Sequence, residues 1–551
     1  MAVKRSDTNW CGWGWANTRY DFHGQRDTFL RWLGKQLGAD LVGTHVPPVN
    51  PEDVQLPSVR LSEAEAADLI AAAGGQEFVE QDHMSRLMHS MGRSLPDLLR
   101  LRRGDVKHAP DAVVLPNSNQ AVANILRLCV ERNWVVVPFG GGSSVVGGVD
   151  AWDPQGRPVV CMDMTNMNRI LAFDPENQTA TFQAGIYGPD LEAELAKTNH
   201  ILGHYPQSFE FSTLGGWIAA RSSGQQSNQY GDIHDMLESC VVITPKGELV
   251  TWKGPVSAAG PDLDMCISGS EGTFGVIVEA TIRIRPKPEA YQIKAVLFPD
   301  FEAGTAALRA ISQANLKLSY MRLSDAVETT TYLKMGSGNQ WKELGMKALS
   351  PFGFKDQKCV ALIGTEGSLR DVEYDVSRAL AICRAHRGLS VGSSPTKNWH
   401  RDRYLHPYMR DDLLDAGIAT DTHETAVPWS KIGVVQKEVR EALEAELGRY
   451  GQKVHVMAHL SHSYPTGSCI YFILMYPLNQ DDPVGQWRPI KAAICDAIAK
   501  HGGTISHHHG VGIDHKPWLS LEKGELGLSL IRAVRREADP SGIMNPGKLV
   551  D

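Results

Sequence analysis

The 551 residues carry a formal charge of -8 and are 42% hydrophobic and 21% charged, a globular composition too long for one core, so two or three domains are expected. The acidic balance excludes a basic nucleic-acid binder, no apolar run reaches bilayer-spanning length, and the opening residues lack a signal-peptide core. Nine cysteines without a C-x-x-C pair fit buried thiols in a reducing compartment, hence cytoplasm, rather than disulfides or a zinc site.

Taken in order, residues 1–105 read as a mostly helical leader. Glu63–Ala73 is a strong helix-former, residues 78–91 show a second helical pattern, and the tryptophans of Trp10-Cys11-Gly12-Trp13-Gly14-Trp15 are expected to pack against a later domain. From residue 106 the texture changes to short strands and helices. Residues 112–116 predict a strand, Asn119–Arg132 an amphipathic helix and residues 134–138 a buried strand, a βαβ-like unit that delivers Pro138, Phe139, Gly140, Gly141, Gly142, Ser143 and Ser144 at a strand end. Three consecutive glycines leave a bend whose amides can converge on one object without Cβ atoms in the way, which suits a pyrophosphate. Such a bend can equally be a tight turn. It has neither the G-x-G-x-x-G spacing of a dinucleotide fold nor the Lys-Ser/Thr of a P-loop.

Three further glycine-and-hydroxyl loops follow. Pro206, Ser208, Ser212, Thr213, Gly215 and Gly216 precede a helix predicted from Trp217; Gly231 and Asp232 lead into a strand; Glu271, Gly272, Thr273, Gly275, Val276 and Ile277 precede another. Four such loops between short strands point to one extended ligand bearing phosphates.

Residues 290–515 predict a second α+β domain. Within it, the stretch 334–356 has mixed polarity and reads as a lid or a long loop. Arg322 and Arg410 are guanidinium forks able to grip phosphate or carboxylate, or to sit in salt bridges. Tyr471, on an apolar strand after the turn Pro465-Thr466-Gly467, is a proton donor or a core residue. His507, His508 and His509 are flanked by Gly502, Gly503 and Gly510, which free the backbone to gather alternating side chains. Acid–base and anion-binding roles suit them better than metal ligation, because adjacent histidines converge poorly on one ion.

The order of P-F-G-G-G-S-S, S-T-L-G-G-W, Y-G-D-I and G-S-E-G-T-F-G-V-I resembles the FAD-binding domain of the vanillyl-alcohol-oxidase family. The resemblance implies an α+β protein: a FAD-binding domain of two α+β subdomains at 106–289, a cap or substrate domain at 290–515, and a segment 516–551 returning to the FAD domain. It implies FAD with its pyrophosphate on Gly140 to Ser144 and its ribityl chain and isoalloxazine among the later loops, noncovalent because the glycine loop holds no histidine.

G-S-C-I-Y-F and G-G-T-I-S-H-H-H-G-V-G, with N-W-C-G-W-G-W, L-R-R-G-D-V, S-Y-M-R-L, P-Y-M-R-D and T-H-E-T-A-V-P-W, are similar to the alkyl-dihydroxyacetone-phosphate synthases of ether-lipid biosynthesis. That resemblance implies exchange of the acyl chain of acyl-dihydroxyacetone phosphate for a fatty alcohol through a flavin N5 adduct, without net redox. It implies Tyr471 as acid–base residue, His507 to His509 beside flavin and substrate, Arg322 and Arg410 near the substrate, and His204 lining the pocket. It further implies a homodimer and peripheral attachment at a membrane. Two features depart from the pattern. His459 stands where animal enzymes carry arginine, and the end of the chain is closer to bacterial flavin-dependent hydroxyacid dehydrogenases, which makes oxidation of a 2-hydroxy acid or alcohol the rival activity. The H-x-G-D-G-N-x-H metal motif of many such enzymes is replaced here by Pro465-Thr466-Gly467-Ser468, and their glutamate by His508; no metal is expected.

Overall fold

The computed structural model describes residues 3–336 and 349–551. Residues 337–348, the middle of the stretch read above as lid or loop, lie outside the described residues.

Valine runs build the first sheet. Val135–Phe139 and Ala112–Val114 flank Val159–Asp163 in parallel, and Val79–Glu80 adds an antiparallel edge. Continuous apolar strands are what a sheet buried on both faces requires. The helix Asn119–Arg132, capped by Ser118, connects two strands that are not neighbours, since Val159–Asp163 lies between them. The leader holds Glu63–Ala73 behind a Ser62–Glu65 capping box. The second helical pattern is shorter than its periodicity suggests: Val79–Glu80 is extended, and Asp82 caps a helix only at His83–Met88.

A five-stranded antiparallel sheet follows, in the order Ile170–Asp174, Thr179–Gln183, Val276–Arg283, Leu237–Thr244, Gly247–Val250. The helix expected from Trp217 begins earlier, as Leu214–Ala220, because Thr213 accepts the Gly216 amide as its cap.

The third large sheet has seven antiparallel strands: Leu389–Gly392, Ala290–Phe298, Cys359–Gly367, Tyr320–Ser324, His455–Ser463, Gly467–Pro477 and Ile418–Pro428. Helices Phe301–Gln313, Leu369–Ala385, Ile432–Gly448 and Pro483–Lys500 share a core with residues such as Phe298, Leu323, Phe472 and Leu474. Strand alternation then sends the intervening residues to the other face. These are Tyr320 and Arg322, His459 and Ser461, Tyr471 and Ile473, and Thr420, Thr422 and Glu424, with His459 opposite Tyr471 and Tyr471 opposite Glu424.

The helix Leu519–Ala538 places Ile531 and Ala538 against the core of the five-stranded sheet, and Met544 bridges Val136 in parallel. Among the described residues no helix is long and apolar enough to cross a membrane.

Candidate functional site

A cavity of about 420 Å3 lies between the glycine loops and the bare face of the seven-stranded sheet. At one end its wall is formed by residues 138–144, 212, 213, 215, 216, 271, 272 and 275–277, with Pro206 and Ser208. The amides of Gly141, Gly142 and Ser143 have no acceptor among the described residues, so the bend offers a row of unspent donors. Bare backbone is required there. A Cβ on Gly141 would fall 1.8 Å from the Phe211 carbonyl oxygen, and Gly142 has φ +70°. Arg5 fixes the loop from outside, donating to the Gly140 carbonyl at 2.7 Å while pairing with buried Asp163 at 2.8 Å. The leader tryptophans pack edge-on against Phe211, Trp13 at 6.1 Å and Trp15 at 5.0 Å between centroids, and Trp13 reaches the cavity wall.

Three of the residues expected at the cofactor are not on this wall. Thr273 is fully buried and bonds the Ser270 carbonyl. Gly231 turns the chain at φ +86°, and Asp232 lies behind the cavity, where Tyr464 donates to it at 3.4 Å. Glu271 is on the wall and spends both carboxylate oxygens on the amides of Val511 and Gly512, at 2.5 and 2.7 Å. It thereby ties the last glycine loop to the histidine segment. Burial pushes its carboxyl up to about 7 against those two hydrogen bonds.

The opposite end carries Tyr471, His508, His509, Arg322 and Arg410. The Tyr471 ring lies near parallel to His459 at 5.0 Å and to His508 at 5.9 Å. Burial drives its phenol well above the ordinary value, so it is a neutral O–H. His508 is held well below the usual imidazole range, first by burial and then by His509.

The histidines converge because of a residue that the sequence reading quoted without assigning a role. Glu424, fully buried, accepts the amides of His507, His508 and His509 on one oxygen at 3.0, 2.9 and 2.8 Å, together with the Ser506 hydroxyl at 2.8 Å. Its other oxygen lies 3.3 Å from His509 Nδ1. Burial opposes the charge, yet His509 and its neighbours hold the Glu424 carboxyl well below the usual carboxylate range. The strand Ile418–Pro428 carries polar residues on both faces, so its own pattern did not single out Glu424.

The two arginines differ. Arg322 shares Glu328 Oε1 with His459, at 2.8 and 3.0 Å, so its charge is matched inside the protein. Arg410 donates to the Arg93 carbonyl at 2.9 Å, its Nε has no partner, and no carboxylate among the described residues pairs with it. It is the cation left for an anion to meet. His507 stands just outside the wall, 2.7 Å from the Tyr464 hydroxyl and stacked on His462. His204 is not a lining residue. It is fully buried beside Trp217, 4.9 Å between centroids, and bonds Ser222 at 3.2 Å, because the Trp217 and Ser222 side chains occupy the wall in front of it.

Two family models match the chain, an FAD binding domain over residues 110–253 and the C-terminal domain of FAD linked oxidases over residues 287–549. The alkyldihydroxyacetonephosphate synthase of Dictyostelium discoideum is 37% identical over 86% of this chain and 78% of its own length. That of Caenorhabditis elegans is 31% identical over 98% of this chain and 95% of its own. The chain belongs to the alkyldihydroxyacetonephosphate synthase family. A solved alkyldihydroxyacetonephosphate synthase superposes with a TM-score of 0.84 at 30% identity, covering 99% of this chain and 98% of that one. p-Cresol methylhydroxylase, at a TM-score of 0.67 and 16% identity, shares the fold. This member of the synthase family is thus an α+β protein with a vanillyl-alcohol-oxidase-type FAD-binding part and an α+β cap, and FAD is its cofactor. The bare, donor-rich bend at Gly141 to Ser143 fits a pyrophosphate, and the cavity that it opens is continuous to Tyr471.

Proposed function

We propose that this chain exchanges the acyl group of acyl-dihydroxyacetone phosphate for a long-chain fatty alcohol, releasing a fatty acid and leaving an ether. The observation that carries the reading is the placement of Tyr471 between His459 and His508, in one cavity with the glycine loops and the unpaired Arg410. Residues 138–144 would hold the FAD pyrophosphate, with the flavin ring between loops 212–216 and 271–277, noncovalently. When bound, the flavin supplies a nucleophilic ring at which substituents on the substrate carbon exchange without net electron transfer.

The side chains do the rest. Arg410 binds the phosphate, since a buried guanidinium without a carboxylate is stabilised most by an arriving anion. Arg322, already balanced by Glu328, steers the phosphate and orients His459. The carbon between ketone and ester must lose a proton; His508, neutral, buried and stacked on Tyr471, takes it and returns a proton to that carbon once the ether bond has formed. Tyr471 donates its hydroxyl hydrogen to the departing carboxylate oxygen and afterwards takes the alcohol proton as the new C–O bond forms, which returns the phenol to its starting state. Apolar wall residues, among them Leu362, Trp399 and Ile473, exclude water and accept the chains.

The domain division is 1–105, 106–289, 290–515 and 516–551. The protein works as a homodimer in the cytoplasm, at the inner face of a membrane from which its lipid substrates come.

The test is anaerobic mixing of the flavin-loaded protein with palmitoyl-dihydroxyacetone phosphate, and separately with D-lactate and other 2-hydroxy acids, while the flavin spectrum is recorded. Bleaching by the acyl ketone phosphate with release of fatty acid, reversed by hexadecanol with formation of an ether, is the expected result. Bleaching by a hydroxy acid, restored by an electron acceptor, would make the protein a dehydrogenase instead.

A further inference from the structure

We propose that Glu424 is the positioning residue of the histidine triplet: one carboxylate oxygen gathers three consecutive amides, and the other faces His509 Nδ1 and so sets the direction of that ring. The inference deepens the synthase reading and rests on it.

Three neighbouring side chains on an extended chain point to alternate sides, so a triplet can serve one site only if its backbone is bent and held. Glu424 Oε1 does this with four donors, the amides of residues 507 to 509 and the Ser506 hydroxyl, all within 3.0 Å. Ser506 in turn accepts the Gly510 amide at 3.0 Å, and Gly510, at φ +90°, turns the chain away. A fully buried carboxylate is costly unless its charge is answered. Backbone donors answer it at Oε1. Oε2 has no hydrogen-bond partner among the described residues and faces His509 Nδ1 at 3.3 Å. Glu424 belongs to the cavity face of its strand, opposite Tyr471 on the neighbouring strand, so its contact with His509 lies beside the tyrosine. The His509 ring is 5.7 Å from Tyr471 and 4.6 Å from His508.

The charged and titratable groups packed around this pair are known. His508 and Tyr471 flank His509; Cys469 on the neighbouring strand and His515 beyond the loop act on Glu424. Asp232 acts on His507 as Glu424 does, whereas Glu424 is the carboxylate that acts on His508 and faces His509. The arrangement separates roles within a run of identical residues: His508, held well below the usual imidazole range by burial, stays neutral and available as a base, while His509 is the ring turned to the buried carboxylate.

Glu424→Gln is the deciding variant. It keeps an amide oxygen for the three backbone donors and removes the charge. In the flavin-loaded protein, kcat for the exchange is expected to fall about 100-fold, the acid limb of the pH profile to move to lower pH, and KM for acyl-dihydroxyacetone phosphate to stay within threefold of the parent. Glu424→Asp should restore part of kcat. At fixed pH the ring nitrogen signals of His509 in histidine-labelled protein should move in Glu424→Gln while those of His204 stay. The double variant Glu424→Gln/His509→Gln should be no slower than the slower single one, since the two residues act as a unit.

Unchanged kcat and pH profile in Glu424→Gln, or additive losses in the double variant, would overturn the inference. So would activity of the parent that chelation abolishes and a divalent ion restores, because Glu424, His508 and His509 each present a ligand atom within 4.8 Å of the others and would then be holding a metal. Should the parent show no exchange at all, the synthase reading fails, and the His509 signals still decide whether Glu424 controls that ring. Should Glu424→Gln not fold, Glu424→Asp and the His509→Gln pH profile carry the same comparison.

Discussion

Tyr471 and His459 face each other across two neighbouring strands, their rings 5.0 Å apart between centroids and 19° from parallel. The stack holds the phenol by its ring. Tyr471→Phe should therefore keep the stack, the fold and the bound flavin while losing the exchange reaction by 100-fold or more, the range expected for removal of an acid–base group. Rapid-quench assay of ether formation, with flavin absorbance as the control, reads both.

Arg322 and Arg410 should separate stability from binding. Arg322→Met leaves the buried Glu328 carboxylate, whose Oε2 already lacks a partner, with His459 in place of a permanent cation, and should destabilise the protein by about 3 kcal/mol. Arg410→Met removes a buried cation that pairs with no carboxylate among the described residues, and should leave thermal stability unchanged or raised while KM for the phosphate substrate rises 10-fold or more. Unfolding curves and KM for the two variants, measured side by side, test the distinction; equal loss of stability in both would refute it.

Gly141→Ala should abolish flavin binding without unfolding the chain's larger sheets. The new methyl would meet the Phe211 carbonyl oxygen at 1.8 Å, so the glycine bend and the loop before Ser212 must part. Flavin absorbance per chain after purification, beside far-ultraviolet circular dichroism, measures this.

His204 makes the protein sensitive to acid. The unfolded chain takes up a proton on this ring as the pH falls through 6.5, whereas burial holds the native ring neutral down to about 3. Its contribution to stability is complete above pH 6.5 and is lost as the pH drops toward 3, with a slope of at most about 1.4 kcal/mol per pH unit. His204→Phe keeps the ring beside Trp217, and should flatten the urea midpoint between pH 7 and pH 4 relative to the parent.

Much of this arrangement was legible before any coordinates. The helices Glu63–Ala73 and Asn119–Arg132 carry their period and their serine caps in plain sight, and the glycine bend follows from valines that can only be buried. What was not legible depended on contacts distant in sequence. The helical pattern over residues 78–91 breaks because Val79 pairs with Val114, a partner that no local period reveals. The family resemblance puts His204 on the pocket wall, yet Trp217 and Ser222 stand between it and the cavity. The histidine triplet was visible, but the means of its convergence was Glu424, some 80 residues away on another strand.

The clasp on the glycine bend sets the order in which the molecule can be completed. Arg5 holds the bend at the Gly140 carbonyl, and Asn545 holds the neighbouring loops, donating to the carbonyls of Gly148 and Glu271 at 2.9 and 2.8 Å. The phosphate cradle is therefore finished only when a segment near residue 5 and one near residue 545 have both arrived. A nascent chain can form its valine strands early, but it cannot grip the cofactor until nearly the whole sequence has left the ribosome. Yellow colour in this protein thus reports a completed tertiary structure, and a nick or deletion near residue 545 would be read first as a loss of flavin.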